Sequence, residues 1–403
     1  MTKTRKTHIV LGVTGSIAAY KAAEIARYFM KRGCVVRVVL TDAAEKFISA
    51  LTFESITQQP VLRSFWEETQ PGAIGHIALA DWADAVVVAP ASADFIAKAA
   101  YGFAESPLLA VLLATKAPVV MAPAMNVNMY EHPQTQENIS TLAARGVSFV
   151  EPDSGDLACG WKGRGRLAEA SEVYFATQRA LGPKDLLGER VLISTGPTRE
   201  AIDPVRFISN RSSGKMGVAL AREAYRRGAE VTLVHGSLSG APRLPRLIKK
   251  VPVTSAADMR EAMVARASTA SDIVIMAAAV ADYRPATPAQ GKIKKSSAST
   301  SLELAPNSDI LLEVGEKKGS SPKPFLVGFA VETGTQDELI AEVKRKLERK
   351  NADLMVGNLA QDSFDKDTNR VCLVKRSGEH SSLDTAKKSR IARTIFDAIV
   401  SAR

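Results

Sequence analysis

The sequence predicts an α/β protein built from two doubly wound, Rossmann-like domains. Short runs of Val, Ile, Leu and Ala alternate with amphipathic segments along the whole chain. That is the pattern of parallel strands buried on both faces by crossover helices. A strand–glycine turn–helix unit occurs twice, and each copy opens one half of the chain. Finally, 403 residues are too many for one ordinary hydrophobic core.

The first unit runs His8-Ile9-Val10-Leu11-Gly12-Val13-Thr14-Gly15-Ser16 into an amphipathic segment that ends at Lys31-Arg32-Gly33. A second strand at 35–40 follows, then strands at 85–89, 119–122 and 147–150, with helices after Ser92, near 133–145 and at 170–180. Residues 151–166, rich in Gly, Asp and Arg, read as a loop. Gly182-Pro183-Lys184 punctuates the pattern, which places the domains at 1–183 and 184–403. The second unit runs Val191-Leu192-Ile193-Ser194-Thr195-Gly196, makes a polar excursion, and forms a helix ending at Arg226-Arg227-Gly228. Strands follow at 231–234, 273–277, 325–329, 354–357 and 371–374, with a terminal helix at 386–400. The Lys/Ser/Thr-rich stretch 285–304 reads as a mobile loop.

Composition narrows the function class. Three widely spaced cysteines, Cys34, Cys159 and Cys372, make neither a disulfide framework nor a zinc pattern, which fits a reducing cytoplasm. No apolar stretch reaches bilayer length. The net charge of +10 sits in the second half: residues 1–185 carry 18 Lys/Arg against 18 Asp/Glu, and residues 186–403 carry 35 against 25. Such a field attracts polyanions. Nucleic acid is one such partner, but aromatics are scarce at 6% and no nucleic-acid-binding signature is present. A polyanionic small substrate is the simpler reading.

A strand feeding a glycine turn and a helix start is the anion site of doubly wound sheets. Neither opening has G-x-G-x-x-G spacing, and Gly214-Lys215-Met216 lacks the hydroxyl of a Walker loop. Asp42, at the end of the second strand, is either the ribose-gripping acid of a nicotinamide oxidoreductase or a helix cap. The cap is the simpler assignment. Gly15-Ser16 suits a single phosphomonoester. Pro90-Ala91-Ser92-Ala93-Asp94 and Pro123-Ala124-Met125-Asn126-Val127-Asn128-Met129 stand at strand ends, where ligands bind. His76 follows Gly75 in a turn beside a cleft, as an acid/base group or as a solvated imidazole. Cys159 lies among Lys162, Arg164 and Arg166, a setting that favours thiolate and access. In the second half, residues 209–217 supply backbone N–H groups and small hydroxyls for an anion cradle. Asp282 ends a buried strand segment. Gly291-Lys292-Ile293-Lys294-Lys295 is a basic lobe, and Lys346 and Lys350 share one helical face, by default as solvated lysines.

Taken together, these motifs resemble the bacterial bifunctional coenzyme A biosynthesis proteins across the whole chain. That family joins a phosphopantothenoylcysteine decarboxylase to a phosphopantothenate–cysteine ligase. The resemblance implies a flavodoxin-like flavoprotein domain followed by a nucleotide-binding ligase domain. In the first, it implies FMN bound near Gly12, Gly15, Ser16, Thr41 and Ser92, with Asn126 holding the substrate carboxylate, His76 as base or orienter and Cys159 as proton donor. In the second, it implies CTP as co-substrate, with Asn210 near the acyl intermediate and Lys292 near the phosphates. Asp282, Lys292, Asp309, Ile310, Phe329, Lys346 and Lys350 match the positions that surround CTP. It also implies Mg²⁺ or Mn²⁺, whose protein ligands the sequence does not name, and homo-oligomers: trimeric decarboxylase halves and dimeric ligase halves. Residues 102–107, Gly102-Phe103-Ala104-Glu105-Ser106-Pro107, depart from the family pattern.

Overall fold

The computed structural model describes residues 5–66, 75–156, 160–295, 301–363 and 366–403. The chain divides into two compact units, residues 1–182 and 183–403.

In the first unit, five parallel strands form a sheet: β1 (His8–Val13), β2 (Val35–Leu40), β3 (Ala85–Ala91), β4 (Val119–Pro123) and β5 (Ser148–Phe149). Their spatial order is β2-β1-β3-β4-β5. The chain therefore leaves β1 toward one edge and returns on the other side, so the switch point lies between β1 and β3. Helices α1 (Lys21–Met30), α2 (Asp42–Glu45), α3 (Ala50–Thr57), α4 (Gly75–Trp82), α5 (Ala93–Ala100), α6 (Pro107–Ala114), α7 (Val127–Glu131), α8 (Pro133–Ala144) and α9 (Ala170–Leu181) connect and cover it. Alternate strand residues feed two cores. Ile9, Leu11 and Val87 pack with Ile25, Phe29 and Val173 on one face. Val10, Val86 and Val88 pack with Phe95, Leu108 and Leu142 on the other. Residues 153–166 form more than a loop: β6 (Asp153–Asp156) pairs antiparallel with β7 (Lys162–Arg166).

The second unit repeats the plan around a larger sheet. Its strands are β8 (Arg190–Thr195), β11 (Glu230–His235), β12 (Lys249–Pro252), β13 (Ile273–Met276), β16 (Phe325–Glu332), β17 (Leu354–Leu359), β18 (Thr368–Lys375) and β19 (His380–Lys387). The order is β12-β11-β8-β13-β16-β17-β18-β19, with the switch point between β8 and β13. The first six strands run parallel, whereas β18 and β19 are antiparallel additions that need no crossover helix. Two small antiparallel pairs complete the strands: β9 (Arg199–Ala201) with β10 (Phe207–Ser209), and β14 (Tyr283–Pro285) with β15 (Leu304–Pro306). Helices α10 (Lys215–Arg226), α11 (Ala256–Ala270), α12 (Ile310–Lys318), α13 (Gln336–Arg349), α14 (Ala360–Ser363) and α15 (Lys388–Ala402) surround the sheet. The stretch expected as a loop at 285–304 thus begins in β14, and β15 starts at its far end; residues 296–300 lie outside the described residues.

The two units share a structural detail. Asp84, just before β3, accepts the backbone N–H of His8 at 2.8 Å. Asp272, just before β13, accepts that of Arg190 at 2.9 Å. In both places a carboxylate pins the start of the first strand to the start of its neighbour beyond the switch point.

Candidate functional site

A cavity of about 1130 Å³ opens at the first switch point. The turn after β1 (Thr14, Gly15, Ser16), the segment after β2 (Thr41), the segment after β3 (Ser92 to Phe95) and the segment after β4 (Ala124 to Asn126) all line it. Four N-cap side chains meet there. Ser16 Oγ accepts from the Ala18 N–H (3.2 Å), Thr41 Oγ1 from Ala44 (3.3 Å), Ser92 Oγ from Phe95 (3.2 Å) and Asn126 Oδ1 from Asn128 (2.8 Å). The positive ends of several helical turns therefore converge on one space, which favours an anion. Buried Thr14 fastens two of the turns together: its hydroxyl donates to Pro90 O (2.8 Å) and accepts from Ser92 N–H (2.9 Å). A Cβ on Gly15 would stand 2.5 Å from the Ala43 Cβ, so the turn and α2 meet as closely as glycine allows.

The structure sorts the residues expected here. Gly15, Ser16, Thr41, Ser92 and Asn126 line the cavity. Gly12 does not: it lies inside β1, where a Cβ would strike Leu108 at 2.5 Å, so it serves packing against α6. Asp42 is not the cap of the helix after β2. Thr41 is, because only its hydroxyl sits one position ahead of the first turn. His76 is on the first turn of α4, not in a free turn; it is half-buried, packs edge-on to Phe65 and does not line the cavity. Cys159 lies outside the described residues, between β6 and β7. The hairpin itself reaches the cavity through Asp156, Gly165 and Arg166. The divergent 102–107 stretch ends in a well-formed helix start, with Ser106 capping α6 and Pro107 as its first residue. Glu105 also lines the cavity and pairs with Lys98 at 2.6 Å; with Asp94 it holds the Lys98 ammonium above its usual pKa.

At the second switch point the crevice is much smaller, about 110 Å³. Thr195, residues 212–217, Ala277 to Ala279, Phe329, Val331, Asn358, Asn369 and Lys388 line it. Gly214, at φ +72°, turns the chain into α10, and that helix has no side-chain cap. Its first N–H groups therefore lack intrahelical partners and face the crevice. Gly217 lets α10 lie on β8: a Cβ there would meet Thr195 at 2.2 Å. The strand after β13 is fixed in turn by Ala278 N–H to Ser194 Oγ (3.2 Å), Ala279 N–H to Gly196 O (3.0 Å) and Ala281 N–H to Thr198 Oγ1 (3.0 Å). Asn358, 3% exposed near the end of β17, leaves its Nδ2 buried without a hydrogen-bond partner. A buried amide donor without an acceptor costs about 1–3 kcal/mol, and this one borders the crevice. Sequence reasoning passed over Asn358; the signal was a lone polar side chain in the apolar run Leu354-Met355-Val356-Gly357-Asn358-Leu359.

Of the residues expected around a nucleotide here, Phe329 alone among those described lines the crevice. Asn210, after β10, is exposed and donates from Nδ2 to Val280 O at 2.9 Å. Asp282 and Lys292 are exposed. Asp309 caps α12, accepting from the Leu312 N–H at 3.1 Å, and Ile310 behind it is buried. Lys346 and Lys350 are not the solvated lysines expected: Lys350 pairs with Asp309 at 3.1 Å, and Lys346 pairs with Glu332 at the end of β16. Lys215, the first residue of α10, pairs with Asp367 at 2.7 Å and holds that carboxyl below its usual range.

Residues 1–182 match the family described as Flavoprotein, and residues 186–402 the DNA/pantothenate metabolism flavoprotein C-terminal domain. Fold, sites and these matches together define a two-domain flavoprotein of pantothenate metabolism. The chain is 44% identical over 396 residues to the coenzyme A biosynthesis bifunctional protein CoaBC of Haemophilus influenzae, covering 98% of this chain and 97% of that protein. It is 42% identical to the protein of the same description from Bacillus subtilis, covering 97% and 96%. Among solved structures, the C-terminal domain of a CoaBC protein is 40% identical and covers 54% of this chain and 97% of that one, with a TM-score of 0.45. A PPC decarboxylase mutant complexed with pantothenoylaminoethenethiol is 31% identical and covers 42% and 95%, with a TM-score of 0.38. The chain belongs to the family of bifunctional coenzyme A biosynthesis proteins. It is an enzyme with two activities, a phosphopantothenoylcysteine decarboxylase in the first domain and a phosphopantothenate–cysteine ligase in the second. Among the described residues, no helix is long and apolar enough to cross a membrane.

Proposed function

We propose that the first domain works with FMN held in the β1/β3 cavity, and that the second activates 4′-phosphopantothenate with CTP at the β8/β13 crevice. The observation that supports this best is the pairing of two donor-rich switch points, one roomy and ringed by capped turns, the other tight and left with unspent donors. A cavity near the upper end of the usual ligand range accommodates a flavin. Gly15 and Ser16 stand where its phosphate would be held, with Thr41 and Ser92 beside them.

FMN, when bound, supplies a reversible two-electron acceptor, which lets the cysteinyl carboxylate leave as CO₂ without net oxidation of the product. Asn126, fixed as the cap of α7 at the cavity wall, orients that carboxylate. Cys159, outside the described residues, would donate the proton that completes reduction of the ene-thiol; Arg166, on the strand that follows it, faces the cavity. His76 acts as base or orienter. In its own chain it lies off the lining, and the shared flavin sites that the family resemblance implies would put it in a neighbouring copy's cavity. The cavity rim supports a shared arrangement: Ile17, Tyr20 and Met129 line it, yet are 60%, 61% and 50% exposed in the single chain. The family resemblance is what assigns the first domain to a trimer and the second to a dimer.

In the ligase step, the phosphopantothenate carboxylate attacks the α-phosphorus of CTP and pyrophosphate leaves. The cysteine amine then attacks the acyl carbon of the cytidylate, and CMP leaves. The uncapped start of α10 receives phosphate oxygens, and Asn358 Nδ2 donates to the nucleotide. Lys292 meets charge that builds on the phosphates, and Asn210 holds the acyl group. Among the described residues no group of three or more His, Cys, Asp or Glu is arranged to hold a metal ion. Mg²⁺ or Mn²⁺ would be carried chiefly by the triphosphate, with Asp282 as its candidate carboxylate. The test is to mix the purified chain with 4′-phosphopantothenate, cysteine and CTP. The proposal expects yellow protein, pyrophosphate before CMP, and CO₂ last; colourless protein that refuses FMN, or product formed without CTP cleavage, contradicts it.

A further inference from the structure

The turn between β9 and β10 carries an aspartate that the ligase chemistry does not use. Asp203 is 3% exposed, yet it carries a carboxylate. Its Oδ1 accepts the backbone N–H groups of Val205 and Arg206, both at 2.8 Å. Its Oδ2 accepts Arg206 Nε at 3.0 Å and Nη2 at 2.5 Å, and also the backbone N–H of Ile293 at 3.1 Å. Arg206 Nη2 in turn donates to the Ile293 carbonyl at 2.9 Å. Both polar backbone groups of Ile293, 90 residues away in sequence, are thus held by one ion pair. Ala289 N–H to Ile202 O, at 2.9 Å, fastens the same stretch a turn earlier.

Ile293 sits between Lys292 and Lys294 in a lobe with three lysines and no regular secondary structure. Like charges push such a segment apart, and its backbone has no ladder to fix it. Each residue ordered only on binding costs chain entropy. The Arg206 guanidinium keeps the Asp203 carboxyl far below the usual carboxylate range, so the anchor stays charged. At its other end β10 leads directly to Asn210. One turn therefore ties the strand bearing Asn210 to the lobe bearing Lys292.

We propose that Asp203 is a positioning residue for the ligase reaction: by gripping the backbone of Ile293 it presets where Lys292 meets the phosphates. This rests on the reading of Lys292 given above. Preset placement matters because a shift of about 1 Å in a charged group costs up to roughly 100-fold in rate.

The test is a double-mutant cycle in the full chain, with Asp203→Asn, Lys292→Gln and the pair. Pyrophosphate release is followed in a single turnover, and decarboxylation of supplied phosphopantothenoylcysteine in the same samples reports an intact chain. Asp203→Asn should slow pyrophosphate release about 10- to 100-fold. The double variant should be no slower than Lys292→Gln alone, within about twofold. Trypsin cleavage at residues 292–295, without nucleotide, should rise at least about fivefold in Asp203→Asn. Should Asp203→Asn not fold, Ile293→Pro removes the gripped N–H while leaving Asp203 and Arg206 paired, and the same pattern is expected. Multiplying effects in the double variant, or unchanged cleavage and turnover in Asp203→Asn, overturn the proposal while Lys292 keeps its role. A Lys292→Gln enzyme with full pyrophosphate release overturns both.

Discussion

The two domains share a scaffold down to the aspartates that pin their first strands, yet their mouths are opposite in kind. The first opens into about 1130 Å³ ringed by the N-caps Ser16, Thr41, Ser92 and Asn126, each of which meets one donor of its own turn. The second encloses about 110 Å³, below the range of ordinary ligand pockets, but keeps donors in reserve at the uncapped start of α10 and at Asn358. Shape does the holding in one, and unspent hydrogen-bonding capacity in the other. A finished cavity suits a resident group. A tight crevice with spare donors suits the phosphate end of a substrate that comes and goes, most of whose body stays outside. On the proposed reading, one fold serves a cofactor and a consumed nucleotide by changing what fills the first turn after the strand.

The sharpest way to break this contrast is at Gly217. A methyl there would overlap Thr195 at 2.2 Å, lifting α10 from β8 and distorting the donor cluster. Gly217→Ala should lower pyrophosphate release by at least about 100-fold while the same chain decarboxylates supplied phosphopantothenoylcysteine normally. Equal loss of both activities would deny that the sites are separate devices.

Asn358→Leu tests the reserve of donors with crossed signs. Removing a buried unmet donor leaves the fold as stable or more so, whereas the nucleotide loses a partner worth about 1–3 kcal/mol. CTP affinity, measured by calorimetry, should fall about 10-fold or more, with the melting temperature unchanged or raised. A lowered melting temperature with unaltered CTP binding would make Asn358 a structural residue.

In the first domain the matching change is Thr14→Val, which keeps shape but strips the bonds to Pro90 O and Ser92 N–H. Flavin retention through dialysis should weaken about 10-fold, and Thr14→Ser should restore it. Ligase turnover should not change.

The smallest effect concerns pH. Burial would raise the Asp272 carboxyl, but the Arg190 N–H and Lys323 outweigh it and bring it down to about 2. Its unfolded value is near 3.9. Its contribution to stability is therefore complete above about pH 4 and is lost as pH falls toward 2. Asp272→Asn should flatten acid unfolding of the second domain over that window, followed by fluorescence. An unchanged acid limb would remove Asp272 from the account.

Much of the scaffold was legible in the chain because its parallel strands are short, apolar and separated by helical patterns. The glycine turns after β1 and β8 marked where the sites lie, while the strand order that makes them switch points came only from the structure. What escaped were elements whose signal is weak alone. β6 and β7 are Gly-, Asp- and Arg-rich and become strands only by pairing with each other. β18 reverses direction, which its apolar run does not reveal, and β19 is mostly polar and exposed, so it shows no strand pattern of its own. That Gly15, Ser16 and Ser92 line a cavity was readable, because glycine and small hydroxyls between a strand and a helix mark a turn at the strand's end. The partners of Lys346 and Lys350 were not, since Glu332 and Asp309 lie far away in sequence. Asn358 was visible as a polar residue in an apolar strand, but its meaning needed the crevice around it.

The contrast between a resident and a consumed ligand is tested most directly in one tube. The purified chain is dialysed exhaustively, given 4′-phosphopantothenate, cysteine and CTP, and assayed for bound flavin, CMP and CO₂ together. The account predicts about one flavin per chain, unchanged after many turnovers, with one CMP formed for each CO₂ released. Flavin lost on dialysis without loss of CO₂ production, or CO₂ formed from these substrates without CMP, would contradict it.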